Sequence, residues 1–210
     1  MNRDWIKVDK FISIDTANLL YQHVKMAEKR HKDLESHGVV ISDSVYGKYN
    51  DGQIEGKYCF SMYGDLIMDT VLVDSKKKIE NIIDEKLIPQ YTYYRMYLNG
   101  SELPRHKDRE QCELSSTLCL GYDANYNWPI WVKDRHGKEI PIELEPGDMV
   151  IYKGCDIEHW REPFRGNNHA QVFLHYNLKN GKYGNNNTDG RITFGIPSPN
   201  DTRHWFRGKR

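Results

Sequence analysis

The stretch "LPRHKDREQCELSSTLCLGYD" (residues 103–123) places a histidine and an aspartate, His106 and Asp108, two positions apart. On extended backbone, side chains at i and i+2 leave from one face, so an imidazole and a carboxylate are presented together. A second imidazole, His159, stands 51 residues after Asp108, beyond the Pro-Gly turn and apolar run of "PGDMVIYKGCDIEHW". In a domain of short strands that interval is enough to return the chain beside the first hairpin. Two imidazoles and one carboxylate on one face, with coordination positions left open, form the facial donor set of non-haem Fe(II) oxygenases. Taken singly, H-x-D triplets are mostly accidental and His159 reads equally well as an exposed loop residue. The weight comes from the three together.

These residues need a scaffold, and from Tyr91 onward the sequence offers one. "YTYYRMYL", "SSTLCLGY", "WPIWVKD", "IPIELE", "DMVIYKG", "AQVFLHYNL" and "RITFGI" are short β-type runs divided by Gly, Asn, Asp or Pro, at the spacing of a sandwich or barrel. Residues 91–196 are expected to form an antiparallel β core, and 1–90 to supply helices that pack on it. The first helix follows Ser13 and Asp15, with Leu19, Leu20, Val24 and Met26 as its apolar stripe and Gly38 as its stop. A second is expected in the latter half of "DLIMDTVLVDSKKKIENIIDEKLIP", on Ile79, Ile82, Ile83 and Leu87, with Pro89 ending it. Residues 197–210 form a C-terminal tail. The 210 residues are read as a single catalytic domain, long enough to bury a core.

Thirty Lys and Arg against thirty Asp and Glu give no global pull toward nucleic acid or an anionic membrane. No apolar run approaches the roughly 20 residues of a membrane span, and the start lacks the apolar core of a signal peptide, so a cytoplasmic protein is expected. Four cysteines without a C-x-x-C pair read as reduced, packed thiols and not as a zinc site. The glycosylation spelling at Asn186 then has no consequence.

Read in order, Y-x8-H-x-D (Tyr97, His106, Asp108), L-x-P-G-D-x-V-x-Y-x-G (144–154) and H-x3-P-x2-G (His159, Pro163, Gly166) resemble the prolyl 4-hydroxylase-like branch of the 2-oxoglutarate and Fe(II)-dependent dioxygenases. The likeness covers about residues 70–178. It implies an α+β, mostly β chain: a double-stranded β-helix, or jelly roll, with N-terminal helices packed on the sheet. It implies Fe(II) held by His106, Asp108 and His159, with 2-oxoglutarate as co-substrate, O2 as oxidant and ascorbate as an optional addition. The reaction implied is decarboxylation of 2-oxoglutarate to succinate, coupled to hydroxylation of a C–H, a proline in a protein or peptide first. Tyr97 matches the tyrosine that meets the co-substrate's distal carboxylate, Arg95 shares its face by alternation, and Thr117 and Cys119 line the next strand inward.

The family's Lys or Arg nine to ten residues after the distal histidine is missing, and Asn168 and His169 stand there. His169 with Arg95 as support is the favoured replacement; Arg161 or Arg165 folding back, or a different co-substrate, are the alternatives. His175 is expected to be a core strand residue satisfied by a neighbour. His23, His31 and His37 are expected to face solvent, as is the "KKK" at 76–78. Trp128, Trp131 and Trp160 are read as core or as cleft walls, and the basic end "RHWFRGKR" as offering, as a lesser reading, a contact for an acidic partner. Residues 38–70 and 180–210 are expected to shape the substrate cleft. Two rival readings are an oxygenase of a small molecule and a jelly-roll module that holds a metal without catalysis; a cupin-like metalloenzyme is a third. No nucleic acid or membrane partner is expected, and the sequence leaves the oligomeric state open.

Overall fold

The computed structural model describes residues 3–54, 58–185 and 187–197; Asn186 and the tail from residue 198 lie outside them. Among the described residues, ten strands form two antiparallel sheets. The larger has the order β1 (Trp5–Val8), β8 (Met149–Tyr152), β5 (Leu114–Asp123), β10 (Asn168–Leu178), β3 (Leu87–Leu98) and β2 (Cys59–Tyr63). The smaller is β4 (Leu103–His106), β9 (Glu158–Arg161), β6 (Ile130–Lys133) and β7 (Glu139–Ile142). This is the expected jelly roll.

Period-two alternation divides the central strands between two cores. Tyr94, Met96, Leu118, Leu120, Val172 and Leu174 face helices α1 (Ile14–Ser36) and α3 (Leu66–Ile83), between which the chain forms the single turn α2 (Asp43–Tyr46), and meet Leu20, Val24, Met68, Leu72 and Ile79. On the opposite face Cys119, Val150 and Tyr152 pack against Ile130, Val132 and Ile142 of the smaller sheet. Tyr97, Leu103, Trp128, Phe164 and Phe173 close one end of that interior. Each central strand is buried on both faces.

Several expectations change at this level. Residues 1–90 contribute β1 and β2, both sheet edges, as well as helices. In α1 the buried face is Ala17, Leu20, Val24, Ala27, Glu28 and His31, whereas Leu19 and Met26 are exposed. His31 therefore packs inward, edge-on to Tyr49 and Phe60, and the half-buried His23 pairs with Asp65 at 3.1 Å; His37 is exposed as expected. Helix α3 starts earlier and stops earlier than the latter-half helix expected: Asp65 caps it, accepting from the backbone N–H groups of Ile67 and Met68, and Leu87 falls in β3. It ends at Asp84 in the left-handed region, and Pro89 lies inside β3. Lys76 and Lys78 of "KKK" are engaged with Glu80 and the Phe11 carbonyl.

"RITFGI" is not a strand. A short 3-10 turn (Thr188–Gly190) instead leads to Arg191, whose guanidinium pairs with Asp69 at 2.6 Å with both side chains out of solvent. Arg191 also donates to the carbonyls of Gln90, Thr188 and Ile196, while Asp69 accepts from Thr92 and Gly195. The segment is used as a clamp on α3 and β3, so its backbone is not free to pair.

The Pro-Gly-Asp turn positions the second half of the site. Gly147 has φ +94°, open to glycine without strain, and a Cβ there would meet the Ile12 carbonyl oxygen at 2.8 Å. Asp148 returns its carboxylate to the Glu145 and Lys10 N–H groups, which fixes the entrance to β8 and hence the loop leading to His159.

Candidate metal centre

Strands β4 and β9 pair antiparallel with His106 directly opposite His159, and the two rings lie 4.2 Å apart. Asp108 follows β4 in a loop held by its own N–H, which donates to the Gly154 carbonyl at 2.9 Å. The sheet register thus brings together the three residues singled out by spacing, within 4.8 Å of one another. Their orientation is set by backbone acceptors. His106 Nδ1 lies 2.8 Å from the Pro104 carbonyl oxygen, and His159 Nδ1 lies 3.2 Å from that of Ile157. A carbonyl only accepts, so each Nδ1 carries its proton and each Nε2 can offer a lone pair. Those Nε2 atoms face Asp108 Oδ1 at 3.7 and 3.6 Å. Ligands about 2.1 Å from one metal stand about 3.0 Å apart at right angles and about 4.2 Å apart when opposed, so these spacings suit a shared ion.

The electrostatics agree with that geometry. Burial and then the neighbouring His159 ring lower the His106 pKa, which favours the neutral ligand form. Burial alone would raise the Asp108 carboxyl; the adjacent His159 ring, aided by His175 and Ser115, outweighs it and holds Asp108 well below the usual carboxylate range. The donor set of two imidazoles and one carboxylate fits a divalent first-row metal.

Sequence reasoning missed what holds the carboxylate. Ser115 on β5 donates to Asp108 Oδ2 at 2.6 Å, which turns Oδ1 toward the histidines. The Ser115 proton is committed there, so the 3.0 Å contact with His175 Nδ1 is a donation from His175. His175 is the buried, neighbour-satisfied strand histidine expected, with burial pulling its pKa down to about 4, and it also lines the cavity in front of the metal ligands. Gly154 makes room: a Cβ there would overlap Asp108 Oδ2 and the Cys112 carbonyl, and come within 2.6 Å of Ser115 Oγ. Ser115→Ala should therefore keep the fold and lower metal affinity by about 10–100-fold, measured by competition with a chromophoric chelator. Unchanged affinity would reduce the serine to packing.

The cavity measures about 450 Å³. It is lined by the candidate ligands His106, Asp108 and His159, by Tyr63, Tyr91 and Tyr93, and by Asp51, Gly52 and Gln53. Of the lining residues, Arg109 pairs with Asp189 at 2.7 Å, and Asp189 also accepts from the Tyr63 hydroxyl at 2.6 Å. Asp51, Gly52, Gln53 and Tyr63 of the segment 38–70 thus line the cavity, whereas Asp189 of the segment 180–210 touches it through its bonds to Arg109 and Tyr63. The four cysteines are free thiols; Cys112 lies near Asp108 and His175, which makes a second candidate ligand group sharing the same carboxylate. Trp128 is core, while Trp131 and Trp160 stack at 5.9 Å on the smaller sheet.

The residues expected to meet a co-substrate carboxylate fall into three situations. Arg95 lines the cavity, but Asp51 already neutralises it through two hydrogen bonds, Nε to Oδ2 at 2.8 Å and Nη2 to Oδ1 at 3.0 Å. His169 is fully buried, stacked 5.3 Å from Tyr122, and burial followed by the Arg161 charge pushes its pKa well below the ordinary value. In the ligand-free chain the neutral ring is favoured, which leaves His169 the role of a hydrogen-bond donor. Arg161 is also buried, at 1% exposure, and burial lowers its pKa. Tyr97 stands between the two guanidinium groups, 6.0 Å from each to its ring centre, with its hydroxyl 3.4 Å from Arg95 Nη1. Thr117 is buried on the same interior face beside the Tyr152 hydroxyl at 3.4 Å.

No protein-family model and no curated protein sequence matches the chain. Among solved structures it is similar to a Pseudomonas putida prolyl-4-hydroxylase, at 17% identity over 83% of this chain and 92% of that one, TM-score 0.60. It is similar to the viral collagen prolyl hydroxylase of Paramecium Bursaria Chlorella virus-1 in its 2OG complex, at 10% identity over 83% and 96%, TM-score 0.56. It is also similar to the non-heme alpha ketoglutarate dependent epimerase SnoN of nogalamycin biosynthesis, at 10% identity over 93% and 90%, TM-score 0.61. At such identities the likeness is one of fold, and the chain has the fold shared by these 2-oxoglutarate-dependent enzymes. Among the described residues, no helix is long and apolar enough to cross a membrane.

Proposed function

We propose that the chain is a 2-oxoglutarate and Fe(II)-dependent oxygenase that hydroxylates a C–H of a proline in a protein or peptide. The observation that carries this reading is the convergence of His106 Nε2, His159 Nε2 and Asp108 Oδ1 in the lining of an open cavity. When bound, iron supplies O2 activation coupled to conversion of 2-oxoglutarate to succinate and CO2. The chain's own residues do the rest. His106, Asp108 and His159 would hold the metal at the cavity that they line. Ser115 and His175 keep Asp108 turned, and the Tyr152 ring, 4.8 Å from His159, packs behind that imidazole.

The substrate side supports a ring-bearing peptide. Tyr63 stacks on Tyr91 at 4.9 Å, and with Tyr93 they present an aromatic wall against which a pyrrolidine ring can pack. A small-molecule substrate is the second reading, favoured by residues 51–53 and the paired Arg109 in the cavity lining. The test is incubation of the Fe(II)-loaded protein with 2-oxoglutarate, O2, ascorbate and a panel of proline-bearing peptides. Hydroxyproline by mass spectrometry is the expected product. Succinate formed at a rate no peptide changes, with no peptide modified, would move the proposal to the small-molecule class.

A further inference from the structure

Four buried side-chain polar atoms lack a hydrogen-bond partner among the described residues, and three of them belong to Arg161, His169 and Gln171. Arg161 Nη2 donates to Gln171 Oε1 at 2.7 Å and Nη1 to the Trp128 carbonyl at 2.7 Å, while its Nε–H has no acceptor. The Gln171 amide nitrogen and His169 Nδ1 are the other two orphans, and the Trp128 ring flanks both Arg161 (4.6 Å) and His169 (5.4 Å). All three residues are buried on the interior face of the jelly roll. Arg161 has no carboxylate partner among the described residues. A cation buried without a counter-charge costs several kcal/mol, and each orphaned donor adds to that. The patch is built for an anion with several acceptor lone pairs that the protein itself does not provide.

Arg161 follows the metal ligand His159 by two positions on β9, so both side chains enter the same interior. Arg95, the other guanidinium near Tyr97, is spent on Asp51. We propose that Arg161, with Tyr97 and Gln171 beside it, binds the distal carboxylate of the co-substrate, replacing a cation that the related pattern places on the strand of Asn168 and His169. This rests on the reading of the chain as a 2-oxoglutarate enzyme. It makes one four-residue strand carry both a metal ligand and the co-substrate anchor.

Calorimetric titration of the Mn(II)-loaded protein without O2 tests it, using 2-oxoglutarate and 2-oxobutyrate, which has the same keto-acid end and no distal carboxylate. Wild type should prefer 2-oxoglutarate by about 100-fold, the scale of a buried charge pair losing one partner. Arg161→Met should lose that preference and leave 2-oxobutyrate binding within about threefold, while Arg161→Lys retains part of it. Removing an uncompensated buried cation should also raise the melting temperature of the ligand-free Arg161→Met protein and abolish the further rise caused by 2-oxoglutarate. Affinity in wild type should stay flat from pH 6.5 to 8.5, since a guanidinium does not titrate there. Undiminished preference in Arg161→Met, or a fall in affinity through that pH range, would overturn the assignment in favour of Arg95 or His169 respectively. Binding of neither keto acid by wild type would sink the co-substrate reading itself, and the proposal with it.

Discussion

Asp108→Ala should remove the metal site and leave the jelly roll standing. The residue lies in a loop after β4, and its backbone anchor to the Gly154 carbonyl survives truncation of the side chain. What goes is the one negative charge facing two imidazole nitrogens, and with it the neutralisation of a divalent ion. Two histidines alone would bind such a metal weakly, so affinity should fall by well over about 100-fold, beyond the loss expected from an outer hydrogen-bond partner such as Ser115. Turnover should fall below detection. The measurement is metal content after gel filtration, set beside far-UV circular dichroism, with the exposed Asp156→Ala as control. Retained metal at wild-type stoichiometry would mean that the ion sits elsewhere.

Arg191→Met should be the most destabilising single change that touches no metal ligand. The Asp69–Arg191 pair is fully buried, and the β3 backbone at Gln90 and Thr92 and the turn at Gly195–Ile196 bond to it. Cutting one partner leaves Asp69 charged and uncompensated, a loss of about 3–5 kcal/mol, or roughly 10 °C in melting temperature for a chain this size. Replacing both partners, Asp69→Leu with Arg191→Met, should recover part of the loss, because no lone charge remains. Urea unfolding of the two variants checks this, and equal losses in both would place the stabilisation in packing instead of charge. The change should also reach the cavity, since Arg191 anchors the turn that sends Asp189 to Arg109 and Tyr63.

What the sequence made legible, and what it hid, follows from how far apart the partners lie along the chain. His106 and Asp108 share a face by simple alternation, and the turn residues 146–148 announce the strand that leads back to His159, so the convergence of the three candidate ligands could be read directly. Ser115 and Gly154 could not: their roles exist only because β5 and the β8–β9 loop converge on Asp108. Arg95 looked available from its strand position alone, yet its charge is consumed by Asp51, 44 residues earlier in a loop of no regular pattern. His31 looked solvent-facing on a charged helix because the burying surface, Tyr49 and Phe60, comes from elements whose packing no helical period encodes. "RITFGI" has the composition of a strand; Arg191, committed to Asp69, takes it out of the sheet. A signal for Arg161 was present in the sequence, a cation two residues after a ligand and hence on its face, but only the missing carboxylate partner separates it from a solvated loop arginine.

The central claim is tested most directly by CO2 release from 2-oxoglutarate labelled at C1, with the purified protein in air. The account predicts release that requires Fe(II) and O2, yields one succinate per CO2, continues at reduced rate in Ser115→Ala and ceases in Asp108→Ala. Release that is equal in wild type and Asp108→Ala, or absent from metal-loaded wild type across the whole peptide panel, would contradict it.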